Sequence, residues 1–353
     1  MFIVDAHLDL AYNAIRNERD LLRPVSEIRV AEAKEGKTLG TAIVTFPELQ
    51  RANVGLVFAT IFVGPTRSAM FNEGEKLVYS TIDEAHRQGQ IQLDYYHSLW
   101  DTVDYLRPVQ KVSDLEMIVS SHENGEEPLV GMVVLMEGAD PIRHPEELEY
   151  WYERGLRIVG LAWDDTRYAA GAWRDGGGLT SEGYQLLEIM ADFGMILDLT
   201  HMGEEGTFQA LDSYEGQIIA SHSNARSLVP GQRQLSDTQI LRLVERDGLI
   251  GIVLANAFLR KGHGRGDPKE LVTLEHVVAH IDHICQLVGD ADHVGLGTDF
   301  DGGFGVESVP SEISGVSDLP LIAKALTEYG YGEQDAEGVL GGNWLRLLGA
   351  SLG

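Results

Sequence analysis

Six residues of this chain have side chains that bind divalent metals and stand at the ends of apolar runs. The stretch "FIVDAHLDL" (residues 2–10) carries such a run into His7 and sets Asp9 just beyond it. "LVGMVVLME" ends on Glu137, "GMILDLTH" on His201, "GQIIASH" on His222 and "DHVGLGTD" on Asp299. Imidazole and carboxylate are the ligand set for zinc or a similar divalent ion. One catalytic ion usually takes three protein ligands. Three histidines and three carboxylates suit a pair of ions about 3.5–4 Å apart, bridged by a carboxylate and a hydroxide. A lone histidine at a strand end is more often a hydrogen-bonded structural residue. Five apolar runs ending this way favour a metal site.

These runs must be brought to one place. With "VGLVFATIFV" (54–63), "LRIVGLAW" (156–163) and "GLIGIVLAN" (248–256) they make eight β-rich segments, separated by helical stretches. Near-continuous Val, Ile and Leu is the signature of parallel strands buried on both faces. One intervening stretch, "LEHVVAHIDHICQLVG", has apolar residues at helical spacing. Eight alternations predict an α/β protein, a (β/α)₈ TIM barrel, with a doubly wound sheet as the weaker alternative. In a barrel the C-terminal strand ends converge on one mouth, where this fold does its chemistry. The segment 64–128 is long for one crossover and reads as a helical insertion, with room for a cap over the site. No repeat or linker interrupts 1–353, which reads as a single domain.

Composition narrows the partners. There are 353 residues, 44% of them hydrophobic, enough for a large core. With 27 Lys and Arg against 55 Asp and Glu the net charge is −28, which repels nucleic acid and anionic membranes. No run approaches the ~20 apolar residues of a membrane span. No basic region marks a signal peptide before Phe2. The expectation is a soluble cytoplasmic protein. A single cysteine, Cys285, excludes an intrachain disulfide and all but rules out thiolate metal sites.

Other candidates fare worse. His276, His280 and His283 have helical spacing but lack the Glu of a zincin motif, and read as a helix surface. "GAWRDGGGLTSEG" (171–183) lacks the lysine and spacing of a phosphate loop and reads as a loop capped by Thr180 or Ser181. No Gly-x-Ser-x-Gly elbow is present, and Cys285 lies on an apolar helix face, so a Ser or Cys nucleophile is disfavoured.

The stretches "DAHLDL", "MEGADPI", "GGLTSEGYQLLEIMADFGMILDLTH", "IIASHSNAR", "RQLSD", "HVGLGTDFDG" and "GGNWLRLL" together resemble the membrane (renal) dipeptidase family of zinc peptidases, family M19. They follow the family's order over nearly the whole chain. The resemblance implies a (β/α)₈ barrel and two Zn²⁺ per chain, other divalent ions being possible. His7 and Asp9 would hold one ion, His201 and His222 the other, and Glu137 would bridge them. Many related amidohydrolases bridge with a carbamylated lysine; no lysine ends a strand here, and Glu137 fills that role. A metal-bridging hydroxide would attack the peptide carbonyl of a small dipeptide, and Asp299 would carry its proton to the leaving amine. Asp301 is the nearby alternative to Asp299. Arg233 would pair with the substrate's C-terminal carboxylate. Family members are commonly dimers or larger, which implies a homo-oligomer.

Two departures bear on substrate range. Renal-type members carry a histidine after strand four, where this chain has Trp163; an indole donates one hydrogen bond but carries no charge. Asp164 follows and is a candidate partner for a substrate ammonium. The family's asparagine after the loop arginine is Gln234. Two further functions compete with a metallo-dipeptidase. One is another binuclear amidohydrolase, cleaving an N-acyl amino acid, lactone or cyclic amide. The other is a non-catalytic metal-stabilised barrel that binds peptides, which has no need of Asp299.

Overall fold

Eight parallel strands close into a ring in the computed structural model, which describes residues 1–36, 40–124, 127–174 and 176–353. Position 175 of the glycine-rich loop and 125–126 of the 64–128 insertion lie outside the described residues. The strands are β1 (Ile3–Leu8), β2 (Val54–Phe62), β3 (Val130–Glu137), β4 (Leu156–Gly160), β5 (Ile196–Asp198), β6 (Ile218–Ala220), β7 (Leu249–Ile252) and β8 (Val294–Leu296). Each pairs with the next, and β8 closes on β1 through Leu296 and Asp5. This is the expected (β/α)₈ barrel.

The period-two pleat sorts side chains into two layers. Leu56, Phe58, Val133, Leu135, Ile158 and Ile196 fill the barrel interior above the indole of Trp344. The residues between them, such as Val57, Ala59, Val134, Met136 and Leu197, face outward into the larger core under the helices. The same alternation that puts Val133 and Leu135 inside carries Glu137 inside, at the mouth. On β5 it does so for Asp198, two residues past Ile196. The apolar runs outlast the strands: β5, β6 and β8 stop at Asp198, Ala220 and Leu296. His201, His222 and Asp299 therefore stand in the loops just beyond, not on the last strand residue.

Helices cover the ring. Within the 64–128 insertion the described part holds a paired Gly64–Pro65 and Val78–Tyr79, the helices Ile82–Thr102 and Val112–Glu123, and a short strand Leu106–Pro108 extending the sheet beside β3. The first helix docks along β2: Gln92 bonds the Phe62 backbone at both its N–H and its carbonyl, and the Tyr96 hydroxyl donates to the Thr60 carbonyl at 2.6 Å. It is a barrel crossover, not a cap. Among the described residues of the insertion, Met70 and Phe71 line the cavity at the mouth.

The helix Leu274–Val288 carries the three spaced histidines. His280 is wholly buried, contrary to the surface expected for it. Its Nδ1 accepts from the Ala225 N–H at 3.1 Å and its Nε2 lies 3.2 Å from the Leu259 carbonyl, so it ties the helix to the loop after β6. His276 bonds Thr273 at its own helix start, and His283 meets Asp237. Thr180 caps the helix Ser181–Asp192, accepting from the Gly183 N–H at 3.0 Å, as expected. No described helix is long and apolar enough to cross a membrane.

Candidate metal centre

The six residues meet at the C-terminal mouth of the barrel. Glu137 is central: its Oε1 lies 2.9 Å from His201 Nε2, 3.4 Å from His222 Nε2 and 3.8 Å from His7 Nε2. His7 Nε2 is also 3.9 Å from Asp9 Oδ1 and 3.9 Å from Asp299 Oδ1. The Nε2 atoms of His201 and His222 are 3.1 Å apart. Three groups of ligand atoms each fit within 4.8 Å: His7, Asp9 and Glu137; Glu137, His201 and His222; and His7, His222 and Asp299. The first two share Glu137. Backbone geometry aims two of these side chains, since His201 and Asp299 hold φ angles of +67° and +58°. Non-glycine residues adopt that region only when their surroundings impose it, commonly at functional sites.

The donor atoms suit cations. Both ring nitrogens of His7, Asp9 Oδ1 and His201 Nδ1 are buried without a hydrogen-bond partner. An unmet buried polar atom costs about 1–3 kcal/mol, so four of them in one cluster call for a ligand. Burial, then the charge of Arg233, brings the His7 imidazole down to about 3. His201 and His222 are lowered for the same first reason. All three rings are thus neutral, with lone pairs free to ligate. Burial, reinforced by Asp301, pushes Asp9 up to about 7. Glu137 and Asp299 are raised by burial and then by Asp9. Carboxyls crowded out of water hold protons until a cation replaces them.

Comparison with known proteins agrees with this chemistry. Residues 1–351 match the model of the membrane dipeptidase family, peptidase family M19. The chain belongs to that family. It is a metallo-dipeptidase, a hydrolase of peptide bonds, in a family that depends on metal. An uncharacterised protein of Klebsiella pneumoniae, from the region 5′ of pqqA, is 32% identical over 232 residues, 63% of this chain and 83% of that protein. Dipeptidase 3 of Rattus norvegicus is 30% identical over 244 residues, 67% of this chain and 48% of the rat protein. A metallopeptidase of Rhodobacter sphaeroides, solved with a phosphinate mimic of the dipeptide L-Ala-D-Ala, shares the fold with a TM-score of 0.81 at 24% identity, over 99% of each chain.

Behind the candidate ligands of this dipeptidase stand two buried aspartates that are not singled out by the sequence pattern. Asp198 accepts from the Ser221 N–H at 2.8 Å, the Thr200 N–H at 3.0 Å, the Thr200 hydroxyl at 2.7 Å and the Ser221 hydroxyl. With its proton given to Asp198, Ser221 Oγ accepts from His222 Nδ1 at 2.9 Å. That fixes the tautomer and leaves His222 Nε2 as the free donor atom. Asp5 does a parallel task across the seam between β1 and β8. It accepts the Thr298 N–H at 2.8 Å and hydroxyl at 2.6 Å, one residue before Asp299. The visible signal was an aspartate two residues before His7 and three before His201.

Asp301 is excluded from the chemistry by its partners. Its carboxylate accepts from the Ile43 and Val44 N–H groups and lies 3.2 Å from Arg19 Nη1. Asp299, not Asp301, faces the cluster. Arg233 is buried beside it: Nη2 donates to the His222 carbonyl at 2.8 Å, Nη1 to Ser223 Oγ at 3.3 Å, and Nε has no partner. Burial lowers its pKa to about 10, with Asp299 and Glu137 opposing, so it stays cationic at neutral pH. Asp164 is placed differently from expectation. Arg174 holds it through two hydrogen bonds, of 2.7 and 2.8 Å, and so keeps it below the usual carboxylate range. A substrate ammonium would have to compete with that pair. Trp163 does line the cavity, about 850 Å³, that opens over Asp9, Glu137 and His201.

Proposed function

We propose that this chain is a binuclear zinc dipeptidase acting on small dipeptides. One observation carries the reading: the Glu137 carboxylate is shared between a His7–Asp9 set and a His201–His222 set, with ligand atoms left unpartnered. Those five residues would hold the two ions. When bound, such ions polarise a carbonyl and lower the pKa of a water toward neutrality.

The chain's own residues supply the rest. Glu137, His7, Asp9, His201 and His222 orient the centre from the ends of four barrel strands, β1, β3, β5 and β6. Asp299, raised by burial and by Asp9, sits beside His7 with an affinity for a proton suited to taking one from water and passing it to the departing amine. Arg233 offers a buried positive charge to a C-terminal carboxylate. The dipeptide mimic bound by the Rhodobacter protein supports a substrate of this size.

The Asp164–Arg174 pair favours a second reading, an amidohydrolase of N-acyl amino acids, which have no ammonium to seat. The test is metal content per chain with a panel of L-L and L-D dipeptides beside N-acyl amino acids. Two zinc ions and dipeptide turnover are expected. Arg233→Met should then abolish turnover of dipeptides and spare amides lacking a carboxylate. Turnover of acylated substrates alone would select the second reading. A zinc-replete protein without bound metal would overturn both.

A further inference from the structure

The wall of the cavity nearest His201 is aromatic. Trp163 lies 5.2 Å from Phe62, 5.6 Å from Phe71 and 6.4 Å from Trp173, ring centre to ring centre. The rings of Trp163 and Trp173 stand 6.0 and 5.8 Å from the imidazole of His201. Three separate segments of the chain contribute: the end of β2, the turn before residue 72 and the loop after β4. Phe62 is buried at the base of this wall, while Trp163 and Phe71 are only partly covered. Trp173 is 48% exposed and Met70, at the same rim, is 69% exposed. Phe71 is nevertheless seated, since a Cβ on Gly64 would come within 2.8 Å of its ring.

We infer that Trp163, Phe62 and Phe71, with Trp173 at the rim, form a subsite for a large apolar, preferably aromatic, side chain on the N-terminal residue of the substrate. This rests on the dipeptidase reading above. The assignment to the N-terminal residue follows from Arg233. Its guanidinium lies against the His222 carbonyl and over the ring of Phe258, at 5.3 Å. A carboxylate drawn there turns the C-terminal residue toward His222 and Asp299. The other end of the dipeptide then faces the Trp163, Phe62 and Phe71 part of the wall, since Trp173 also touches Phe258 at 6.4 Å and so borders both ends. A glycine or alanine in that place would leave the rings against trapped water. A phenyl or isobutyl group would cover them, with offset or edge contacts of the kind aromatic pairs prefer. Trp163, in contact with Phe62, Phe71 and Trp173 and 6.0 Å from the His201 ring, is thereby a specificity determinant of this chain.

The test is kcat/KM of the zinc-loaded enzyme on Gly-Ala, Ala-Ala, Leu-Ala and Phe-Ala, with Ala-Phe as the reversed isomer. The Phe-Ala to Ala-Ala ratio should be about tenfold or more, and Ala-Phe should gain far less. Trp163→Ala should bring the ratio toward unity, and Phe71→Leu should lower it by less, both with zinc content retained. A ratio at or below one in the unaltered enzyme, or an unchanged ratio in both variants, would overturn the subsite. Hydrolysis of none of these peptides would instead overturn the dipeptidase reading.

Discussion

At the scale of single residues, the centre divides into groups that ligate and groups that hold protons. Asp299 has the clearest separate role, and Asp299→Asn keeps its shape while removing its basicity. We expect kcat to fall about 10²–10⁴-fold with two zinc ions still bound; unaltered turnover would remove Asp299 from the mechanism. Zinc binding should also release protons, in a pH-dependent number. At pH 6 the metal-free site holds a proton on Asp9, whose pKa burial pushes up to about 7, while burial shifts Glu137 and Asp299 in the same direction. The imidazoles hold none, because theirs are lowered. The released protons thus come from carboxyls, and more leave at pH 6 than at pH 8, where Asp9 has already lost its own. Calorimetric zinc titration in two buffers of different ionisation enthalpy reads this number; equal counts at both pH values would contradict it. The clustering of His7, Asp9, Glu137, His201, His222 and Asp299 was legible in the sequence because few side-chain types can hold a metal and the apolar runs point at them. Asp5 and Asp198 were not, since a supporting aspartate and a ligating one look alike until Thr298 and Ser221 are seen beside them.

At the scale of elements, precision at the mouth depends on how closely backbones approach. A Cβ on Gly251 or Gly297 would fall 1.9 or 1.8 Å from the Ser221 carbonyl oxygen. These glycines let the loop carrying His222 sit inside the ring. Gly297→Ala must displace that loop, so we expect a loss of at least the ~1–3 kcal/mol typical of overpacking, read by denaturant titration, together with weaker zinc binding. Normal stability and zinc affinity would mean the loop has slack. Ser221→Ala leaves the backbone alone and frees the His222 ring. It should cost about 10–100-fold in zinc affinity with little change in fold. All eight strands were legible from hydrophobic runs, because strands buried on both faces read as near-continuous apolar stretches with few polar interruptions. Their ends were not: an apolar residue such as Leu199 continues the run beyond the last strand residue, Asp198. The aromatic wall was equally hidden, since Phe62, Phe71 and Trp173 come from segments with no local reason to meet.

At the scale of the whole molecule, the barrel gathers charge that it cannot bury unaided. Asp5, Asp9, Glu137, Asp198 and Asp301 are buried, with Asp299 close by, in a chain of net charge −28. Among the described residues Arg19 lies directly against Asp301, and the buried Arg233 charge is shared by Asp299, Glu137 and Asp198. The metal-free fold must therefore protonate its carboxyls or bear their repulsion. A carboxyl raised in the folded state binds its proton more tightly than in the unfolded chain, so stability falls as pH climbs from the ordinary carboxylate range through the folded value. For Asp9 that loss is complete only above about 7. The histidines act in the opposite sense, adding stability as pH rises toward their ordinary 6.5, and are finished by pH 8. At pH 8 the metal-free protein thus carries the full penalty of its buried carboxylates, while the zinc-loaded protein does not. Each ion bound at 100 times its Kd contributes about 2.7 kcal/mol. Thermal unfolding with zinc and with EDTA should give a Tm gap at pH 6 that widens at pH 8. A Tm indifferent to EDTA at pH 8 would mean that the six residues stabilise one another without a cation, and that the barrel mouth is a hydrogen-bonded core.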